Sequence, residues 1–176
     1  RNVFGLVFML PWHTKVGLGA MRTSHMGKHA IRGVLSASNV WFLFAALAYA
    51  PVADVSAITF LMPIIASVLA VFVLKEQTSL IRWAAALTGF AGALIVIRPG
   101  MAEFNPGILF AVGAVCAGSL IAMLIKTLLK YDSGDTVAAW LFISHIVLGI
   151  VPAILVWITP NWEEVLWMVL LGWLGA

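Results

Sequence analysis

Charge is what this sequence has least of. Only 10% of its 176 residues are Asp, Glu, Lys or Arg, whereas 63% are hydrophobic, and the mean hydropathy is +1.08. Soluble domains carry about 25% charged residues because their surfaces face water, so an ordinary water-soluble domain is excluded. One cysteine, Cys116, rules out an internal disulfide and reads as a small buried hydrophobe in an apolar run. The sequence has no GxxxxGK[ST] phosphate loop, no GxSxG and no HExxH. It therefore offers no catalytic residue, no metal site and no cofactor. The pI near 9.4 does not indicate nucleic acid, because the basic residues are scattered at segment ends instead of clustered with stacking aromatics.

What fills the chain is uncharged apolar sequence. Gly33–Ala53, Val55–Leu74, Trp83–Ile97, Phe104–Ile125 and Thr136–Trp162 contain no Asp, Glu, Lys or Arg. A helix rises ~1.5 Å per residue and the hydrocarbon core is about 30 Å thick, so roughly 20 residues span it. Trp83–Ile97 is shorter, and Arg82 and Arg98 can snorkel while adjoining residues extend the helix. Backbone amides in lipid must be satisfied internally, and continuous runs indicate helices rather than alternating barrel strands. The expectation is an all-α integral membrane protein with five complete spans, whose first partner is the lipid bilayer. Partial spans lie at either end, Val3–Trp12 and the run from Val165 to Ala176. The chain opens on Arg1 inside an apolar stretch and reads as the interior of a longer protein.

The breaks between runs carry orientation. Loops at 13–32, 75–82 and 126–135 hold eight Lys/Arg between them; the alternate breaks hold only Arg98. Positive-inside asymmetry makes the first set cytoplasmic. Ala85, Gly89 and Ala93 recur every four residues, as do Gly113 with Ala117 and Ala114 with Gly118. Such spacing lets membrane helices approach closely, and it suits packing within one bundle better than dimerisation. Homo-oligomerisation is left open.

Certain residues then follow in close order: Tyr49-Ala-Pro-Val-Ala-Asp54, a span bearing Pro63, Leu74-Lys-Glu-Gln77, Gly89-Phe-Ala-Gly92 and Arg98-Pro-Gly100. This series resembles the first repeat of EamA-type transporters in the drug/metabolite transporter superfamily. Met21-Arg-Thr-Ser and His29-Ala-Ile-Arg-Gly33 resemble the loop joining that family's second and third helices. The resemblance implies a ten-helix bundle of two inverted five-helix repeats. Residues 1–100 would belong to the first repeat and 101–176 to the second. Part of helix 2, helices 3–7 and the start of helix 8 would be present. It also implies substrate near the midplane and alternating access by rocking of the halves.

The interruptions of the runs supply the site candidates. Pro63 cannot donate to the Thr59 carbonyl, so its helix should kink. Ser56, Thr59, Pro63 and Ser67 share one helix face, either lining a polar cavity or satisfying neighbouring carbonyls. Asn39 must face the interior, bridging helices or contacting substrate. Trp41 is a candidate aromatic wall or a packing residue. His145 is a titratable group at depth, either a relay or a neutral structural histidine. Glu76, matching the family's Glu beyond its fourth helix, and Arg82 read as structural or gating charges. Asp54 reads as a helix N-cap. Together these suggest a secondary transporter, an exporter or exchanger of small polar metabolites such as amino acids, in the bacterial inner membrane. The alternatives are a non-transporting scaffold or sensor and, less well supported, an intramembrane enzyme.

Overall fold

The computed structural model describes residues 2–9, 21–73, 75, 79–97, 105–155 and 157–175. Every regular element among them is a helix: α1 Asn2–Phe8, α2 Met26–Tyr49, α3 Val52–Thr59, α4 Met62–Phe72, α5 Leu80–Ile97, α6 Pro106–Leu128, α7 Gly134–Leu155 and α8 Trp162–Leu174. Met26–Tyr49, Val52–Phe72 (α3 with α4), Pro106–Leu128 and Gly134–Leu155 are long and apolar enough to cross a membrane. The short run Trp83–Ile97 is extended as expected, because α5 begins at Leu80 and has 18 residues, or ~27 Å of helix. The protein is a multi-pass all-α membrane protein.

Several boundaries differ from the charge pattern. The 13–32 break is not loop throughout, for α2 begins at Met26 and takes in Lys28, His29 and Arg32. Likewise α5 takes in residues 80–82 and α6 runs through Lys126 to Leu128. A charge marks where lipid ends, whereas a helix stops only when its backbone finds other partners. Thr136–Trp162 divides too: α7 ends at Leu155 and Trp162 opens α8. There the Asn161 N–H donates to Glu164 Oε2 at 2.8 Å, half of a capping box.

The chain forms two compact units, Arg1–Ala37 with Thr127–Ala176, and Ser38–Lys126. In the first, α1 packs on α7 and α8. A Cβ on Gly5 would lie 2.6 Å from the Phe142 ring, and one on Gly33 would lie 2.6 Å from Ser144 Cβ. In the second, α5 packs on α3 and α4. Its core gathers Ala46, Ala50, Val55, Ile58, Ala111 and Val115. Small side chains bring backbones together where lipid supplies no hydrophobic drive. Asn105 fixes the entry to α6: its Oδ1 accepts from the Gly107 N–H at 2.8 Å and its Nδ2 donates to the Tyr49 carbonyl at 2.7 Å.

Two packing expectations need correction. Gly89 and Gly92 meet nothing within 4 Å among the described residues, so Gly89 of the α5 stripe is not a helix contact there. The α6 stripe is one, with Gly113 against Phe42 and Gly118 against Met62 and Asn39. Cys116 is exposed on α6, not buried. A thiol is apolar enough to face lipid, so its apolar neighbours in sequence could not decide which way it points.

Candidate functional site

The second unit is organised around a broken helix. Pro63 has no N–H to return to Thr59, and α3 stops at that residue. Phe60 donates to Ala57 at 3.2 Å and Leu61 to Ile58 at 2.9 Å, a tightened turn. Ile64 and Ile65 then both donate to the Leu61 carbonyl. Pro63 thus sits in the first turn of α4, where its missing donor would be unpaired anyway. The expected kink is a tightened turn at Phe60–Leu61, where both residues keep right-handed helical angles.

Helix α6 clamps that interruption. Asn39 Nδ2 donates to the Ala114 carbonyl at 2.6 Å. Ser119, fully buried, places Oγ 2.8 Å from the Val115 carbonyl and 3.2 Å from the Met62 carbonyl, sharing one proton between them. Gly118 makes room for this, since a Cβ there would lie 2.6 Å from Met62 Cε. Beside the break, a cavity of about 300 Å³ is lined by Pro63, Ala66, Ser67, Ala70, Ala122, Met123 and Lys126. It runs from the break to the end of α6 that carries Lys126.

The hydroxyl stripe is therefore divided. Pro63 and Ser67 line the cavity, but Ser67 Oγ donates to the Pro63 carbonyl at 2.7 Å and Thr59 Oγ1 to the Ser56 carbonyl at 2.6 Å. Ser56 is exposed. Trp41 is 60% exposed on the outer face of α2 and is not brought to the break. His145, in the other unit, has Nδ1 3.0 Å from the Leu141 carbonyl one turn back. Asp54 is not a cap: α3 starts at Val52 after Pro51, and Asp54 falls in its first turn. A carboxylate there still faces the helix's positive end. Glu76 and the side chain of Arg82 lie outside the described residues. Replacing Pro63 with alanine should leave stability within ~1 kcal/mol, given its first-turn position, while allowing α3 and α4 to join. Thermal unfolding of the full-length protein checks this, and a much larger loss would show that the proline ring itself is packed in place.

The first unit holds a polar cluster that sequence reasoning missed. Asp132 Oδ2, on the α6–α7 turn, accepts from Thr23 Oγ1 at 2.8 Å and contacts His29 Nε2 at 2.9 Å. Their side chains are nearly closed to solvent, 1% exposed for His29 and 7% for Asp132. Burial pushes the Asp132 carboxyl up, but the hydrogen bonds from His29 and Thr23, with the charges of His29 and His25, outweigh it. The carboxyl is held below its ordinary range. His25 stacks on Tyr131 at 4.3 Å, and Lys28 Nζ sits 4.9 Å above the same ring. Arg32, one turn beyond His29 and buried, donates to the Val137 carbonyl. Trp140 donates from Nε1 to the Met21 carbonyl at 3.1 Å. One signal was available: His29 and Arg32 are three apart and precede Gly33, the spacing of a helix face running on into the charged segment.

The family pattern of EamA-like transporters matches residues 1–98. The chain belongs to the EamA-like transporter family. It is 30% identical over 179 residues to the S-adenosylmethionine uptake transporter of Rickettsia prowazekii, covering 100% of this chain and 60% of that protein. It is 31% identical over 175 residues to the riboflavin transporter of Vibrio cholerae, covering 98% and 58% respectively. A protein of known crystal structure shares the fold, with TM-score 0.68 at 24% identity over 97% of this chain and 60% of that one. This EamA chain thus spans about 60% of the length of the relatives it matches.

Proposed function

We propose that the protein carrying this EamA chain is a secondary transporter moving a small polar metabolite across the bacterial inner membrane by alternating access. The observation that carries the reading is the proline-interrupted helix braced by Ser119 of α6, with the cavity beside it. A helix-breaking proline at membrane depth is tolerated where neighbouring helices and hydroxyls satisfy the freed backbone groups, and transporters place substrate beside discontinuous helices. Family membership supports it independently. Residues 1–100 form the first repeat and 101–176 the second, a division that the match ending at residue 98 supports. The basic end of the helices is cytoplasmic, on the asymmetry of Lys and Arg.

The substrate is an amino acid or a solute related to one. The relatives widen that class toward larger polar metabolites. S-adenosylmethionine is itself an amino acid bearing a nucleoside, and riboflavin is a polar heteroaromatic. The test is flux of labelled S-adenosylmethionine, riboflavin and an amino-acid panel into proteoliposomes bearing the full-length protein. Saturable uptake of one class, competed by its unlabelled form, is the expected result. Absence of flux across the whole panel would favour a scaffold or sensor.

A further inference from the structure

His29 is held by one nitrogen only. Asp132 Oδ2 takes hydrogen bonds from both Thr23 and the histidine. An ionised carboxylate only accepts, so Nε2 carries the ring's proton and the neutral ring keeps its lone pair on Nδ1. That atom is buried and has no partner among the described residues. We propose that Nδ1 of His29 is a proton-binding site, and that taking up a proton there opens the cytoplasmic end of the transporter.

The surroundings set the direction. Among the described residues the charged and titratable groups here are Arg22, His25, Lys28 and Arg32 on the side of His29, Tyr131, Asp132 and Lys130 on the α6–α7 turn, and Asp135 in the first turn of α7; α1 carries none. Asp132 is the one carboxylate bonded to the ring. Arg32 is a buried cation one turn away, with Nε likewise unpartnered and only a backbone carbonyl as acceptor. A proton from water, added to Nδ1, strengthens the attraction to Asp132. It also creates a buried N–H with no acceptor among the described residues and a second buried cation near Arg32. An unpaired buried donor is costly, and since no described residue offers an acceptor, water would relieve it. Room for water is close by: a cavity of about 550 Å³ lined by Met21, Arg22, Thr23, Ser24, Met26 and Trp140 abuts the cluster. It shares Thr23 with the cluster, and the Trp140 ring lies 6.0 Å from that of His29. The protonated state therefore favours an arrangement in which the start of α2 and the α6–α7 turn part and hydrate. A proton that binds one state better than another shifts their ratio by that difference.

What opens rests on the transporter reading; where the proton binds does not. The experiment uses the full-length protein with Cys116→Ala and Ser24→Cys, in membranes whose cytoplasmic face is accessible. A membrane-impermeant thiol reagent is applied between about pH 5 and 8, the range in which histidine titrates. Labelling rate is divided by that of the same protein carrying His29→Gln, whose amide still donates to Asp132 but takes up no proton, so the ionisation of the thiol itself cancels. The ratio should rise as pH falls, by up to about tenfold per unit for one proton. A flat ratio overturns the proposal. If the Gln variant does not fold, ¹⁵N resonances of the His29 ring in the otherwise unsubstituted labelling background decide. Protonation of Nδ1 in step with labelling supports the site, and labelling that rises without it overturns the site. Because labelling needs no solute, absence of flux would remove the transport reading alone, whereas a flat ratio in a protein that transports would remove this inference alone.

Discussion

A valine at Gly107 should push α2 and α6 apart and unfold the second unit at a markedly lower temperature. A Cβ at this position would lie 2.6 Å from Ala50 Cβ and 2.9 Å from both the Ala46 carbonyl oxygen and the Ala50 nitrogen. Two of those three neighbours are backbone atoms, which cannot swing aside. Overpacking typically costs about 1–3 kcal/mol, and a contact with backbone belongs at the upper end. Roughly 3 kcal/mol corresponds to a fall in Tm of about 12–24 °C for a unit of this size. Ala46 and Ala50 belong to the core, so the displacement spreads to Ala111 and Val115. Gly89→Val is the control, because nothing among the described residues lies within 4 Å of its Cβ. Thermal unfolding of the full-length protein in detergent reads both, and an equal fall at the two sites would refute the close approach at Gly107.

Removing the Asp132 carboxylate is the other large loss. Asp132→Ala strips Thr23 and His29 of a shared acceptor and leaves the buried imidazole with neither nitrogen paired. Unsatisfied buried groups cost about 1–3 kcal/mol each, so about 3 kcal/mol is expected near neutral pH. Asp132→Asn keeps an acceptor oxygen and should lose roughly half as much on the same scale. The sign with pH follows from the carboxyl being held below its ordinary range. A group with a lowered folded-state value contributes fully above its unfolded value, about 3.9, and loses that contribution as pH falls through the folded one. With His29→Gln in both, so that no proton uptake at that ring intervenes, the Asn variant and its parent should differ most above the unfolded value and converge as pH falls through the lowered folded one. Tm measured against pH tests this; an Ala variant as stable as the parent at pH 7 would show that the contact stabilises nothing.

The spans were legible because charge cannot sit in lipid without a partner, and this rule acts residue by residue. The break at Pro63 was legible for an equally local reason, the absence of one N–H. The inward facing of Asn39 followed from the cost of an unbonded amide, but not its acceptor: Ala114 lies 75 residues away. The His29 cluster was hidden by the same rule that revealed the spans. Reading charge as the end of a helix put His29 and Arg32 in a loop, whereas both are buried against residues more than 100 positions later. Asp54 was misplaced because Pro51 starts the helix three residues earlier than the acid suggests. Trp41 and Cys116 face outward, since in a membrane the outer surface is as apolar as the interior and hydrophobicity no longer separates the two.

The distance in sequence between His29, Arg32 and their partners also sets an order of events during synthesis. Asp132 is 103 residues downstream of His29, and Val137 is 105 downstream of Arg32. At ~5–20 residues per second, the ribosome needs on the order of 5–20 s to deliver them. Throughout that interval α2 is in or beside the bilayer with an imidazole and a guanidinium that the finished protein hides from solvent. The two groups must then stay at the aqueous interface until α7 arrives. The basic end of α2 is in this sense a waiting surface, and any factor that shields nascent membrane helices would meet it before the protein's own carboxylate does.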